Sequence, residues 1–377
     1  MAEMESIGEL CQLINGYAFK PSDWSSEGTP IVRIQNLNNI LAEFNYFKGN
    51  LDKKYYIDNG ALLFSWSGTP GTSFGAFIWN RGPAIINQHI FRVIPKKEIN
   101  LFYLKYALNG KLSDIIAKSH GGVGLQHITK KDLEKINISV PSLNIQNKIV
   151  MTLNSLENVL EKRKQQLSKL DQLVKSRFIE MFGDPVKNPY NWNTTSLNAL
   201  GELNRGVSKH RPRNAPELLN GKYPLIQTGD IASSDLYITK YSSTYSEFGL
   251  KQSRMWPVGT LCITIAANIA KTSILKFDAC FPDSVVGFIS GKDYIQVFIH
   301  FWFSFFQKIL EEQAPESAQK NINLKILNEL KVISPPNYLQ KSFFNFVQQI
   351  ERSKSSVKQS LNTLETLKKS LMHEYFG

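Results

Sequence analysis

Cysteine is scarce in this sequence. Three cysteines occur among 377 residues, Cys11, Cys262 and Cys280, and no two of them form a CxxC pair. Their odd number and wide spacing argue against a disulfide framework and against a zinc site. The sequence therefore favours a reducing, cytosolic setting.

Targeting segments and long apolar runs are also missing. The opening stretch MAEMESIGEL carries acidic residues and no apolar core, so we expect no signal peptide. The most apolar stretch, residues 297–306, is interrupted by His300 and has about half the length needed to span a bilayer. It is typical of a buried helix. The histidines His89, His210 and His300 lack the spacing of metal ligands.

Acidic residues are outnumbered. Lysine and arginine total 44 against 32 aspartates and glutamates, which gives a net charge of +12. Such a charge favours a polyanionic partner, because neutralised phosphates release condensed counterions. The alternative is a merely basic soluble protein. With 42% hydrophobic residues, the composition is that of a globular chain, long enough for two or three domains.

The chain contains an internal repeat with a shift of 194 residues. RFIEMFG ends at Gly183, and LMHEYFG ends at Gly377. The same shift relates further matches, namely Gln146 to Gln340, Pro141 to Pro335, Leu133 to Leu327 and Ile128 to Ile322. A period this long excludes a solenoid and predicts two copies of one domain-plus-helix unit.

Both copies have the same internal order. Short β-type runs come first, such as residues 61–66, 76–80 and 260–266, and a helical apolar stretch follows. Next is a short helix, for which Thr129 is the predicted N-cap in the first copy and Asn323 in the second.

Each copy closes with a long helix free of glycine and proline, and its apolar residues recur as in a coiled-coil seam. The main seam positions are Leu153, Leu160, Leu167 and Leu170 in the first copy, and Ile350, Leu361, Leu364 and Leu371 in the second. Arg163, Lys354 and Lys368 interrupt the seam. Helix one leads from the first domain, or head, to the second head, and helix two starts at the second head. If the two helices pack together across a pseudo-twofold axis, they must therefore be antiparallel. About 35 residues at ~1.5 Å per residue make a spacer of ~50 Å. The alternative is that each helix packs on its own domain.

The sequence thus predicts an α+β chain with two tandem-repeated α/β domains. Two long helices separate them and form an antiparallel coiled coil with pseudo-twofold symmetry. The predicted segments are a first domain over residues 1–143, a first helix over 144–183, a second domain over 184–337 and a second helix over 338–377.

Glycine-rich turns supply the first candidate contacts to nucleic acid. SGTPGTSFG (67–75) follows a strand, and its backbone amides could approach a phosphate closely. Because AFIWN continues as strand, no cofactor-binding loop is predicted, and a plain hairpin turn is the alternative. The matching AANIAKTS (266–273) lacks the glycines. The candidate residues are Ser67, Gly68, Thr69, Gly71, Thr72 and Ser73 in the first copy, and Asn268, Lys271 and Thr272 in the second.

Two further segments combine amides with cations. GGVGLQHITKK (121–131) carries Gln126, His127, Lys130 and Lys131, and its counterpart carries Gln319, Lys320 and Asn321. Glutamine can bind adenine bidentately, although capping of the following helix explains part of the pattern. RGVSKHRPR (205–213) is the densest basic run, with Lys209, His210, Arg211 and Arg213 as candidate phosphate contacts. Its alternative is a solvated charged face.

A catalytic role is not expected. Asn188-Pro189-Tyr190 is similar to the N/D-P-P-Y/F loop of amino-methyltransferases, but the second proline is missing. No glycine-rich S-adenosylmethionine turn precedes it. A dimeric coiled-coil scaffold that binds no DNA is the remaining alternative, and a steep salt dependence of DNA binding would exclude it.

Four features of this chain together indicate a family: the basic charge, the two repeated domains, the GDP–NP–W pattern between the halves, and the helix ends LVKSRFIEMFG and LKKSLMHEYFG. In these features the chain resembles the specificity subunits of type I restriction–modification systems. The resemblance covers essentially the whole chain, and SGTPGTSFG resembles a turn common in the recognition domains of that family. It implies that each head is a target-recognition domain for one half of a split double-stranded DNA sequence. Because the heads have diverged further than the helices, we expect an asymmetric target.

The resemblance also implies the partners. The helices would set the gap between half-sites and bind two modification subunits, with the seam residues as the predicted partner-binding positions. S-adenosylmethionine would be bound by the modification subunits, which methylate adenine, and ATP and Mg by restriction subunits. No cofactor is expected on this chain, no membrane is involved, and the location would be cytoplasmic.

Overall fold

The computed structural model describes residues 3–69, 73–122, 125–266, 269–313 and 322–377; for 120–122, 125–126 and 308–313 it describes the backbone only. The chain forms two compact units. Unit 1 comprises Met1–Lys164 with Gln359–Gly377, and unit 2 comprises Gln165–Lys358. Each long helix therefore contributes one part of its length to unit 1 and the other to unit 2.

Unit 1 contains a mixed α/β head. Its elements in chain order are β1 (Glu3–Ser6), α1 (Ile7–Leu10), β2 (Cys11–Asn15), β3 (Thr29–Val32), α2 (Ile34–Asn38), β4 (Asn45–Phe47), β5 (Tyr56–Ile57), β6 (Leu62–Ser65), β7 (Ser67–Gly68), β8 (Gly75–Ile78), β9 (Ala84–Ile86), β10 (Ile90–Pro95), α3 (Leu101–Gly110), α4 (Leu112–Ala117), β11 (His120–Gly122), β12 (Leu125–His127), α5 (Lys130–Glu134), β13 (Asn137–Val140) and the first part of α6 (Leu143–Phe182). The central sheet has the antiparallel order β2-β10-β6-β8, and a second sheet has the order β4-β3-β9-β5. β11-β12-β7 form a small third sheet, and β1 pairs with β13.

Unit 2 repeats this plan. Its elements are β14 (Thr194–Ser196), α7 (Leu197–Leu200), β15 (Glu202–Arg205), β16 (Leu219–Leu225), α8 (Thr228–Ala232), β17 (Tyr237–Ile238), β18 (Ser243–Tyr245), α9 (Glu247–Lys251), β19 (Met255–Trp256), β20 (Leu261–Thr264), β21 (Thr272–Leu275), β22 (Ala279–Cys280), β23 (Val285–Ile289), α10 (Asp293–Gln313), α11 (Leu324–Glu329), β24 (Lys331–Ile333) and the first part of α12 (Asn337–Phe376). The central sheet has the order β15-β23-β20-β21-β17, the second sheet the order β18-β16-β22-β19, and β14 pairs with β24. The predicted tandem α/β architecture with two long helices is confirmed.

The repeat is visible in side-chain chemistry as well as in topology. Gln146 Nε2 donates to Pro141 O at 2.8 Å, and its counterpart Gln340 donates to Pro335 O at 2.8 Å. Both glutamines are buried and fix the entry of the chain into a long helix. Repeat positions that matched in the sequence therefore hold equivalent structural contacts.

The predicted helix caps are confirmed. Thr129 Oγ1 accepts from Asp132 N at 3.2 Å at the start of α5, and Asn323 Oδ1 accepts from Ile326 N at 2.9 Å at the start of α11. A side-chain oxygen at the N-cap satisfies an amide that has no partner inside the helix.

In unit 1 the head packs on parts of both long helices. Phe376, near the end of α12, packs on Tyr103 of α3 with ring centroids 5.5 Å apart, and a Cβ at Gly110 would lie 2.5 Å from its Cβ. Leu153 of α6 belongs to the same core cluster. Further along, Lys368 Nζ of α12 contacts Glu157 Oε1 of α6 at 2.7 Å. The two helix segments of unit 1 are therefore antiparallel.

In unit 2 an aromatic cluster joins the head to the helices. Phe178 and Phe182 of α6 pack against Phe343 of α12, with ring centroids 5.4 and 5.5 Å apart. Both also contact Phe298 of α10. Burying these large rings dominates the packing energy of the joint. Lys354 of α12 contacts Asp171 of α6, and the earlier Phe343 contacts the later Phe182, so the helix segments in unit 2 are also antiparallel.

The seam residue Lys354 is buried although it carries a charge, with a side chain 6% exposed. Its Nζ lies 2.8 Å from Asp171 Oδ1 of α6 and 2.9 Å from Glu351 Oε1 of α12. Asp235, in the loop before β17, lies 3.9 Å away and binds Lys358 at 2.7 Å. Burial alone would lower the pKa of Lys354, but the hydrogen bonds to Asp171 and Glu351 outweigh it and raise the pKa. The interruption in the seam is thus an ionic joint between the head and both helices.

The long helices exceed the expected length. Each spans 40 residues, Leu143–Phe182 and Asn337–Phe376, so each is about 60 Å long at ~1.5 Å per residue. The spacer estimate of about 35 residues was shorter than this, whereas the predicted segments 144–183 and 338–377 begin one residue after the observed helices. The seam residues Leu153, Leu160, Ile350 and Leu361 are buried, and Leu167, Leu170, Leu364 and Leu371 are half-buried.

His300 of α10 is half-buried, and its Nδ1 lies 3.0 Å from Thr272 Oγ1 of β21. Burial, reinforced by the charge of Lys354, lowers the pKa of His300 to about 4. Between that value and the ordinary pKa of about 6.5, the unfolded chain binds a proton that the folded chain does not. This group therefore stabilises the fold fully above pH 6.5, and the contribution is lost as the pH falls towards 4.

We expect the free energy of unfolding of unit 2 to be about 2 kcal/mol lower at pH 5 than at pH 7 because of His300. Burial raises the pKa of Glu157 and Asp235, but ion pairs and hydrogen bonds, led by those from Lys368 and Lys358, lower it below the ordinary value. These carboxylates lose their contribution to the free energy of unfolding only below about pH 4.5, so the decline between pH 7 and pH 5 comes from the histidine. Urea unfolding of His300→Gln should show most of the decline removed, and His127→Gln, on an exposed site, should retain it. An unchanged decline in His300→Gln would contradict the assignment.

Candidate nucleic-acid interface

Three backbone hydrogen bonds bring four loops together at one end of the central sheet of unit 1. Gly16 N, after β2, donates to Ile90 O at 3.1 Å. Trp66 N, after β6, donates to His89 O at 3.3 Å, and Ile128 N, before α5, donates to Trp66 O at 3.1 Å. The loops after β2 and β6 and before β10 and α5 therefore lie side by side.

Unit 2 uses the same three bonds. Gly206 N donates to Val285 O at 2.8 Å, Ile265 N to Ser284 O at 3.0 Å, and Ile322 N to Ile265 O at 3.0 Å. The loops after β15 and β20 and before β23 and α11 are thereby gathered. We name this end of each unit the four-loop surface. It combines the glycine-rich turn, the segment before the short helix and, in unit 2, the basic run.

The glycine-rich turn of unit 1 is anchored by strand pairing. Gly68 of β7 lies opposite Gln126 of β12, and Ser67 lies opposite His127. Ser67 and Gly68 are buried, so the prediction that they contact DNA is wrong, and their role is to hold the turn. Strand pairing on one side covers them, which the sequence could not reveal.

The tip of the turn stays a candidate contact. Thr69 is exposed, and its N donates to Oγ of the half-buried Ser73 at 2.7 Å. Gly68 has φ +146°, and a Cβ there would lie 2.3 Å from that same Oγ. Gly71 and Thr72 lie outside the described residues. The turn therefore closes on itself through Ser73 and requires glycine at position 68.

In the segment before α5, some of the residues predicted to contact DNA are exposed to solvent. His127 and Lys131 are exposed. Lys130 instead binds its own chain, with Nζ 2.8 Å from Leu13 O and 3.7 Å from Glu134 Oε1. For Gln126 only the backbone is described. Lys130 is therefore a weaker candidate for a phosphate contact than its neighbour.

In unit 2 one candidate is wrong and several lie outside the described residues. Thr272 is buried in β21 and bonds His300, so it cannot reach a DNA duplex. Lys271 is half-buried and lines a cavity of about 330 Å³ together with Lys354. Strand β21 begins at Thr272, which turns that side chain into the core. The candidates outside the described residues are Asn268, Gln319, Lys320 and Asn321.

The basic run of unit 2 is held in a defined conformation. Gln252 Oε1 accepts from Lys209 N at 2.7 Å and from His210 N at 3.0 Å. Arg213 Nη2 lies 2.6 and 2.8 Å from the two carboxylate oxygens of Asp283, and Arg211 lies 3.7 Å from the same group. Lys209 is exposed. Exposed pairs of this kind contribute little stability, so the arginines can exchange a carboxylate for a phosphate.

Sequence reasoning missed the loop before β10. Gln88 Oε1 and His89 Nδ1 are buried there without a hydrogen-bond partner in the described part of the chain, and the His89 ring lies 5.3 Å from Trp66. Burial, with the nearby charge of Arg33, lowers the pKa of His89. The sequence offered little indication of this loop, because residues 87–89 and their counterparts 282–284 have no polar residue in common.

The partner-binding prediction needs a correction in detail. Leu153, Leu160, Ile350 and Leu361 are buried in the chain itself, so their side chains offer little surface to another subunit. Exposed apolar residues of the same helices include Leu173 and Leu367, 47% and 46% exposed, which correspond to each other in the repeat.

The methyltransferase-like tripeptide and the three cysteines have identifiable structural surroundings. Among the described residues no group of three or more histidines, cysteines and acids is placed to hold a metal. Asn188, in the methyltransferase-like tripeptide, uses its amide within a turn, donating to Trp192 O at 2.8 Å and accepting from Trp192 N at 2.9 Å. Cys11, Cys262 and Cys280 are separate buried thiols. No helix in the described part combines the length and apolarity that crossing a bilayer requires.

Comparison with known proteins gives a consistent result. A family described as the type I restriction modification DNA specificity domain matches residues 2–171 and 189–366. The type I restriction enzyme EcoBI specificity subunit of Escherichia coli is 23% identical over 389 residues, covering 95% of this chain and 81% of that protein. The putative MjaX specificity subunit of Methanocaldococcus jannaschii is 20% identical, covering 98% and 92%. The crystal structure of the type I S subunit from M. genitalium superposes with a TM-score of 0.59 at 16% identity, covering 100% and 96%, which shows a shared fold.

Replacing Gly68 by alanine should distort the glycine-rich turn. The substitution combines backbone strain at φ +146° with a contact to Ser73, so we expect DNA affinity to fall about tenfold. Gly60→Ala is the matched control, since Gly60 also has a positive φ, +87°, but nothing lies within 4 Å of its added Cβ. Fluorescence anisotropy with labelled duplex measures both. Equal affinities for the two variants would exclude this turn from the interface.

Replacing Lys209 by alanine should weaken binding to all sequences alike. One lost phosphate contact reduces the slope of log K against log salt concentration by about 1. Lys369→Ala, at an exposed position of α12, should leave the slope unchanged. If Lys209→Ala also leaves it unchanged, the basic run is a solvated face.

Proposed function

Because the chain belongs to the type I restriction–modification DNA specificity family, we propose that each four-loop surface reads one half of a split DNA target. The chain is the non-catalytic, sequence-recognising component of a restriction–modification complex and works with the other subunits of that complex.

The proposal rests on a backbone hydrogen-bond frame that both units share, while the side chains within this frame differ between the units. The same three backbone bonds gather the loops in both units, at Trp66 in unit 1 and at Ile265 in unit 2. The polar residues inside the frame differ, with Gln88 and His89 in one unit and Asp283 and Ser284 at the matching places in the other. Because base edges are distinguished by donor and acceptor patterns, different side chains in one frame imply different half-sites. The target would therefore be asymmetric.

Phosphate contacts and base contacts would have separate sources. Lys131 and Lys209 are exposed next to the four-loop surfaces, and lysine contacts fix register on the duplex without reading sequence. The turn tip at Thr69 and the polar loops would meet the base edges. This division explains how one scaffold can carry two specificities.

The partners that we propose are those implied by the family resemblance. Two modification subunits would bind the long helices through exposed residues such as Leu173 and Leu367, and would carry S-adenosylmethionine for adenine methylation. Restriction subunits would bring ATP and Mg for cleavage. The chain itself would bind no cofactor, and it would act in the cytoplasm.

The experiment that tests this function combines the chain with its modification subunits and S-adenosylmethionine, and maps methylated adenines across genomic DNA. We expect a split motif with a fixed gap. Exchanging residues 1–143 for those of a relative should change one half of the motif, and exchanging 184–337 should change the other. Gln126→Ala should relax the first half alone, by roughly 1–3 kcal/mol of discrimination.

Two outcomes would contradict the proposal. If either exchange alters both halves equally, the units do not read separate half-sites. If no complex forms and no methylation appears with an active modification subunit, the chain is a coiled-coil protein of another kind, and DNA binding that is insensitive to salt would point to a scaffold.

A further inference from the structure

Unit 2 contains a cavity of about 250 Å³ between the basic run and the second sheet. Leu225 and Tyr245, both buried, and Pro282 form its apolar part. Ser208, Arg213 and Gln227 are among the polar residues that line it. The cavity adjoins the four-loop surface, since Ser208 follows Gly206 and Pro282 precedes Ser284.

Ser208 gives the first indication of a ligand. Its side chain is buried at 6% exposure, and its Oγ has no hydrogen-bond partner in the described part of the chain. The backbone around it is fixed, because Arg211 Nη1 donates to Ser208 O at 2.7 Å and Ser253 Oγ donates to Val207 O at 2.8 Å. A buried hydroxyl without a partner is unfavourable, and such groups are concentrated at sites that receive a ligand or water.

Arg213 gives the second indication. Asp283 holds it through Nη2 alone, at 2.6 and 2.8 Å. A guanidinium carries five N–H donors, so the group is oriented while donors on its other nitrogens can still serve a ligand. Gln227, which donates from Nε2 to Ser243 Oγ at 3.4 Å, adds an amide that can both donate and accept.

The size and chemistry of the cavity favour one nucleobase. Its volume is slightly below the ~300–1,000 Å³ of pockets for drug-sized ligands. An apolar part beside a polar rim suits a flat heterocycle with a hydrogen-bonding edge. The adjacent Lys209 and Arg211 favour a group that is attached to a phosphate chain. A base can present its whole edge to such a cavity only after it has left its pair.

We propose that this cavity holds an unpaired base of the second half-site. The inference rests on the proposed function: a base must leave the duplex stack to be methylated, and its former partner is then unpaired. For a methylated adenine that partner is thymine. Its O4 and O2 acceptors match donors from Arg213 and Gln227, its N3–H matches Ser208 Oγ, and its methyl group suits Leu225 and Pro282.

The test uses the complete methyltransferase complex and the motif found by methylation mapping. Two duplexes carry an abasic analogue in place of the thymine opposite the methylated adenine, one in each half-site. For the wild type we expect the abasic analogue to weaken binding about tenfold more in the second half-site than in the first. In Ser208→Ala and Gln227→Ala this difference should shrink to less than about threefold. Ser355→Ala, on an exposed position of α12, is the control and should keep it.

Ser208→Ala should fold normally, because it removes an unpaired buried hydroxyl, and its thermal midpoint should equal or exceed that of the wild type. A difference that persists in both cavity variants would overturn the proposal, as would its absence in the wild type. If either result occurs while methylation still shows a normal split motif, only the proposed role of the cavity is rejected and the proposed specificity function stands. Absence of a split motif would reject the proposed function itself.

Discussion

The attachment of each head to the two long helices is the interaction on which the position of each four-loop surface depends. In unit 2, Phe178, Phe182 and Phe343 provide the apolar part of this joint, and buried Lys354 provides the ionic part. Unit 1 uses Phe376 on Tyr103, with Glu157 between Lys368 and α3. Apolar burial supplies most of the stability, while the directional ion pairs restrict the orientation of each head on its helix segments.

A second constraint acts inside each head. The loops of the four-loop surface differ in sequence between the two units, yet they stay in register with the central sheet. Backbone hydrogen bonds meet both needs, since Trp66 and Ile265 take part through N–H and C=O groups that every such residue carries. Side chains at these loops are then free to vary without loss of the frame. The divergence of the heads and the similarity of their topology are therefore compatible.

Sequence reasoning succeeded where periodicity and repetition were strong. The shift of 194 residues and the leucine seam predicted two α/β units and two long antiparallel helices, and the caps at Thr129 and Asn323 were placed correctly. It failed where exposure depends on pairing between distant strands. Ser67 is covered by β12 and Thr272 is turned into the core, while Gln88 and His89 reach the candidate interface through contacts that no local pattern encodes.

Unit 1 is not contiguous in the chain, because residues 359–377 complete its core through Phe376. During synthesis the first head therefore emerges long before the segment that covers it. Its apolar surface around Tyr103 must wait for nearly the whole polypeptide, whereas unit 2 consists of one continuous stretch. Closure of the first head is consequently a late, long-range step in folding, and a truncated translation product would expose that surface to aggregation.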